Sequence, residues 1–248
     1  MLAMYSVCAV AVTFWLTIMW GGWPFTSISK NPLVGGLTVL IAAYAITLGL
    51  FKIFFNYEFM QGAPVYVASL DPHGMFNGWS AMVFFVTFLV GLFGLLHFDL
   101  WPLTSSPSIM KQPTLGIVWT LLALAVAAIL FGIGVNGMGM DPAIFMVKVP
   151  VPFIFGTIVT LNMLQGSLFA KMKQPVKGLA SVVAAVIIGE GLAAMYGALA
   201  PVVSGDVKSG PPAYDFEIWL ASALLAVTFP FLIFYADYFK MWPLKKDE

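Results

Sequence analysis

Glu190 is the residue whose type and place ask most of their surroundings. It lies about twelve residues into an apolar run, roughly 18 Å from the start of that run at 1.5 Å per residue. A charged group at such a depth in a bilayer costs about 2.5–3.5 kcal/mol on insertion scales, so it is expected to face protein or water. Ala193, Ala194 and Gly197, at the i+3, i+4 and i+7 positions, share its face and leave room beside it. On the preceding run Asn162 and Gln165 form a stripe at i, i+3, and a short hairpin is expected to bring that stripe to Glu190. A carboxyl and two amides placed together offer donors and acceptors to a small polar solute or a proton. The same side chains also serve as hydrogen-bonding glue between helices.

A second set, Glu58, Asp71 and His73, lies in a long loop rich in aromatics. Imidazole beside two carboxylates suits a mononuclear metal site or a pH sensor, and it equally suits a helix cap with an imidazole at the membrane surface. His97, with Asp99 and Trp101 close by, reads as an interfacial pair. Those are the only two histidines, and a spanning helix separates them, so a bis-histidine haem within this chain is not expected. Cys8 is the only cysteine, which excludes an internal disulfide, a thiolate-rich zinc site and an iron–sulfur cluster held by this chain alone. The 14 methionines are read as packing material rather than as copper ligands.

The elements that must position these groups are membrane helices. With 61% hydrophobic and 9% charged residues in 248, the chain lies far outside the soluble average of about 45–50% apolar and about 25% charged. All 11 basic residues are lysines and the formal net charge is zero, so neither nucleic-acid binding nor bidentate phosphate recognition is indicated. Apolar runs at about 2–20, 32–55, 77–98, 113–134, 147–169, 178–199 and 217–239 are each long enough to cross about 30 Å of hydrocarbon. The expected fold is all-α, a single transmembrane domain over residues 1–248 with seven spanning helices. The first run has no basic flank and no cleavage site, and is expected to be a retained helix rather than a signal peptide.

Lys-Asn/Gln-Pro-x-x-Gly occurs three times, at Lys30 to Gly35, Lys111 to Gly116 and Lys173 to Gly178. Each copy opens an apolar run. The expectation is a polar N-cap, Asn better than Gln, with Pro at the first helical position and Gly admitting a neighbouring backbone. Two copies follow a matching tag, Trp23-Pro24 and Trp101-Pro102, and Trp242-Pro243 closes the chain. A repeated hairpin unit is therefore expected. Asp71-Pro72 and Asp141-Pro142 are expected to start helices by the same device, with Asp215 capping the last run. The ends bearing the Lys-x-Pro-x-x-Gly corners hold eight lysines and the opposite ends three, which predicts cytoplasmic corners, an outside N-terminus and a cytoplasmic C-terminus in the cell membrane.

Val34-Gly35-Gly36-Leu37, Val86-Thr87-Phe88-Leu89 and Ile187-Ile188-Gly189-Glu190-Gly191 resemble segments of the acid-gated urea and aliphatic amide channel family. That resemblance implies an outside N-terminus, a long first outer loop and a glutamate in the sixth helix; the seventh run and the repeated corners depart from it. The expected function is a channel or facilitative transporter for a small polar solute, its path lined by Glu190, Asn162 and Gln165. The competing expectation is a membrane subunit of a redox or metal-dependent monooxygenase complex, drawing on Glu58, Asp71 and His73 at the outer surface. Partners are the bilayer and either further copies of the chain or other membrane subunits.

Overall fold

In lipid a spanning backbone must satisfy its own hydrogen bonds, and runs rich in Ala, Leu and Val do so as helices. A computed structural model describes residues 1–29, 31–64, 66–164 and 167–239, and the chain is mostly helical, at 73%. Among the described residues six helical stretches are long and apolar enough to cross a membrane. The first is α1 (Leu2–Phe14), continued by a wider π turn over Trp15–Met19. Then come α2 (Pro32–Phe54), α3 (Gly78–His97) and α4 (Thr114–Phe131), the last continued by a π segment over Gly132–Gly137.

The fifth stretch is broken into α5 (Pro142–Lys148) and α6 (Pro150–Thr157), with a π continuation over Ile158–Met163. Pro150 forces the break: it lacks a donor and drives the residue before it out of helical geometry, so Val149 has φ −128° and ψ −72°. This stretch begins earlier than the expected 147, because Asp141 caps it through Ala143 N (2.9 Å), and its long helix ends at Met163 rather than 169. The sixth, α7 (Val176–Ser204), is also longer than expected and carries Pro201 near its end. A further helical run comprises α8 (Asp215–Ala223), a π segment over Leu224–Thr228, α9 (Phe229–Ile233) and a π segment over Phe234–Tyr238. It is not among those six.

By internal packing the chain divides into two compact units, one of residues 1–92 and 103–137, the other of 93–102 and 138–248. Within the first, α1 packs on α2 and its last turn on α4. Gly91 lies against Ala123, where an added Cβ would sit 2.6 Å from the Ala123 Cα. A two-residue parallel pair, β1 (Phe55–Asn56) with β2 (Phe76–Asn77), closes the long loop between α2 and α3. Within the second, α6 and α7 approach backbone to backbone: a Cβ on Gly189 would fall 2.0 Å from the Pro152 carbonyl oxygen. Val147, Phe155, Tyr196, Leu220 and Leu224 form its buried core.

The three corners divide into two kinds. Asn31 behaves as expected, accepting from Leu33 N at 2.9 Å with Pro32 at the first helical position; Lys30 lies outside the described residues. Gln112 and Gln174 do not cap in that way, for their helices start only after Pro113 and Pro175. Longer by a methylene, each Gln reaches the amide four residues on, accepting from Gly116 N and Gly178 N at 3.0 Å. Each also donates to the end of an earlier helix, at Met19 O (2.8 Å) and His97 O (3.3 Å) respectively. At the two Gln corners the glycine makes room for a ring rather than a backbone: a Cβ would meet Trp20 at 2.5 Å from Gly116 and Phe98 at 2.2 Å from Gly178, whereas Gly35 meets only the Ser29 carbonyl oxygen, at 3.8 Å.

Candidate functional site

Glu190 stands at the midpoint of α7, about 21 Å from either end at 1.5 Å per residue. The buried stripe of α7 that faces α6 is Ser181, Ala185 and Gly189; Glu190, one residue farther on, is rotated off it and exposed. Its neighbours on that outward side, Val183, Val186 and Ile187, are exposed apolar residues, with Gly191 and Ala194 exposed beside them. Among the described residues no hydrogen bond or ion pair reaches the Glu190 carboxyl.

Among the described residues Glu190 and Asn162 are not brought together. Pro152 of α6 lies against Gly189, and the two helices run antiparallel. Asn162 is ten residues farther along, roughly 15 Å away from the level of Glu190. Asn162 is itself exposed, and Gln165 lies outside the described residues. Periodicity put Asn162 on a stripe, but the register set by Gly156, Gly189 and Pro152 decided its depth.

In the loop between α2 and α3, Asp71 staples the backbone. Its side chain is fully buried and accepts from Tyr57 N (3.2 Å), His73 N (2.9 Å) and the Tyr66 hydroxyl (3.0 Å). Burial alone would push its carboxyl up; the backbone donors of His73 and Tyr57, the Tyr66 hydroxyl and the nearby imidazole outweigh that and hold it below the usual value. His73 Nδ1 lies 3.7 Å from Glu58 and 3.9 Å from Asp71. The expected trio is thus gathered, yet among the described residues no group of three His, Cys, Asp or Glu side chains is arranged to hold a metal ion. Nor does Asp71 cap α3, which begins only at Gly78.

Two polar clusters were not foreseen. His97 does not pair with Asp99 at the surface: it is 1% exposed, with Nδ1 2.7 Å from Ser181 Oγ and Nε2 2.9 Å from Thr157 Oγ1. Three buried polar side chains thereby satisfy one another between α3, α6 and α7, and nothing there is open to a substrate. Asp99 instead meets Lys177 at 2.7 Å and Gln174 at 2.9 Å. Burial raises the Asp99 carboxyl, but Lys177 and Gln174 together hold it below its ordinary range.

The other cluster joins Asp141, Tyr214 and Glu217. Glu217 is buried and accepts from the Ser209 hydroxyl and from Gly210 N at 3.1 Å. The Tyr214 hydroxyl donates to Asp141 at 2.8 Å, and burial, with the two carboxylates, pushes it up to about 12. Asp215 does not cap α8; it is that helix's first residue, and Tyr214 precedes it with φ +57°. A Ser-Gly-rich turn followed by an acid was the signal available for Glu217.

The first unit holds a cavity of about 600 Å³ among α1, α2, α3 and α4, almost entirely apolar. No protein-family model matches the chain, and neither a curated protein nor a solved structure does.

Proposed function

We propose that the chain is a multi-pass membrane subunit that completes itself against another membrane chain through the outward face of α7. One observation carries this: a mid-helix carboxyl on an exposed apolar face, with no partner among the described residues. Facing lipid, Glu190 bears the insertion cost of about 2.5–3.5 kcal/mol. Facing a second helix it gains a hydrogen-bonding partner, and Gly191 and Ala194 beside it allow the close approach such contacts need. In this reading the run from Asp215 to Tyr238 is the seventh span, the hairpins repeat, and the lysine-rich corners and C-terminus are cytoplasmic with the N-terminus outside. Partners are further copies or other membrane subunits.

A second reading keeps transport but moves the path to the seam between copies, where Glu190 carboxyls would line a route for a small polar solute. The space beside Glu190 favours it. Both readings are tested on the full chain in mild detergent and in liposomes. The chain runs as an oligomer or with a stoichiometric partner, and Ala194→Phe shifts it to monomer; a wild-type monomer with nothing bound would overturn the assembly. Liposome flux of small neutral solutes that falls in Glu190→Gln supports the seam path, and flux indifferent to that change removes it.

A further inference from the structure

We propose that the cavity of the first unit binds one membrane lipid, its acyl chain lying between α1, α2, α3 and α4 and its polar head at the Ser80 and Asn136 end. About 600 Å³ falls within the range of roughly 300–1,000 Å³ typical of specific ligand sites. The cavity is open on one side, and its apolar walls give water few of the polar partners it needs.

The polar groups sit where a lipid would need them. Ser80 is near the start of the α3 span, Asn136 near the end of the α4 span, and Phe54 closes the α2 span, so one end of the cavity lies at one membrane surface. Neither Ser80 nor Asn136 makes a side-chain hydrogen bond among the described residues. Inward from them the walls are Phe85, Phe88 and Leu124. Phe88 lies ten residues along α3 from Gly78, about 15 Å, which is half of a hydrocarbon core of about 30 Å. There the cavity reaches Trp15 and Thr120, whose polar atoms are already joined to each other at 2.9 Å and offer a second polar head nothing. One polar end at the surface, one leaflet of depth and a floor with its hydrogen bond spent fit a single acyl chain.

The test is native mass spectrometry of the full chain purified in mild detergent, with the released molecule identified by mass after extraction. Wild type retains one acyl lipid per chain. Ala128→Trp, on the cavity wall, lowers the retained fraction at least tenfold, whereas Leu37→Trp, on an exposed face of α2, leaves it unchanged. If Ala128→Trp does not fold, phospholipids brominated along the acyl chain serve instead: they quench wild type more than Trp15→Phe. No retained mass, an isoprenoid in place of an acyl lipid, equal retention in Ala128→Trp, or equal quenching in Trp15→Phe would each overturn the proposal.

Discussion

Gln112 and Gln174 each satisfy a free amide at the start of one helix and a free carbonyl at the end of another. Removing the side chain leaves both groups unpaired, so Gln174→Ala is expected to cost about 1–3 kcal/mol, read as a lowered unfolding midpoint in detergent. Asn31→Ala, which frees one amide, costs about 1 kcal/mol. Gln174→Glu is worse than Gln174→Ala, because it sets a carboxylate against Asp99 and the His97 carbonyl. Asp71 gives a pH prediction whose sign follows from its lowered value. Since the folded carboxyl lies below the unfolded one, its stabilisation is complete above the ordinary Asp range and is lost as pH falls through the folded value. Acid unfolding of the wild type is therefore steeper in that window than that of Asp71→Asn, monitored by tryptophan fluorescence. Residue types revealed these groups as polar and costly to bury. Their partners were not legible: nothing near His97 in the sequence points to Thr157 or Ser181, which lie 60 and 84 residues away.

At the scale of elements, the helices were readable and their contacts were not. Hydropathy located each of the six long spans, and Asp141-Pro142 marked a start that the structure keeps. The break at Val149 was not read from the sequence, because Pro150, its cause, lies within a continuous hydrophobic run. The α6–α7 seam decides two glycines that look alike in the sequence. Gly189 faces a carbonyl 2.0 Å from where its Cβ would be, while a Cβ on Gly191 would meet nothing within 4 Å among the described residues. Gly189→Ala therefore forces the helices apart, at about 1–3 kcal/mol or more. Gly191→Ala leaves the monomer as stable or slightly more so, as Ala favours a helix over Gly by about 1 kcal/mol. Thermal unfolding of both variants, measured with the oligomer dissociated, separates the two effects.

At the scale of the whole molecule, the proposal is that another chain covers the outward face of α7. If another chain does, Glu190→Leu relieves the carboxyl's insertion cost in the monomer while removing its bond to the partner. The expected result is a chain that inserts and folds yet loses at least tenfold in association, read by cross-linking in membranes. Composition and run length by themselves determined a mostly helical chain with runs long and apolar enough to cross a membrane, because a single segment in hydrocarbon can bond its own backbone only as a helix. They also marked the corner residues and the costly carboxyl. Only the tertiary structure decided which face of α7 carries Glu190, that Asn162 lies at another depth, and that Asp71 and His97 are consumed by internal bonds. The reason is geometric: hydropathy is a sum along the chain, whereas facing and depth depend on helix rotation and register, which here follow from the few places where Gly156, Gly189 and Gly91 let backbones touch.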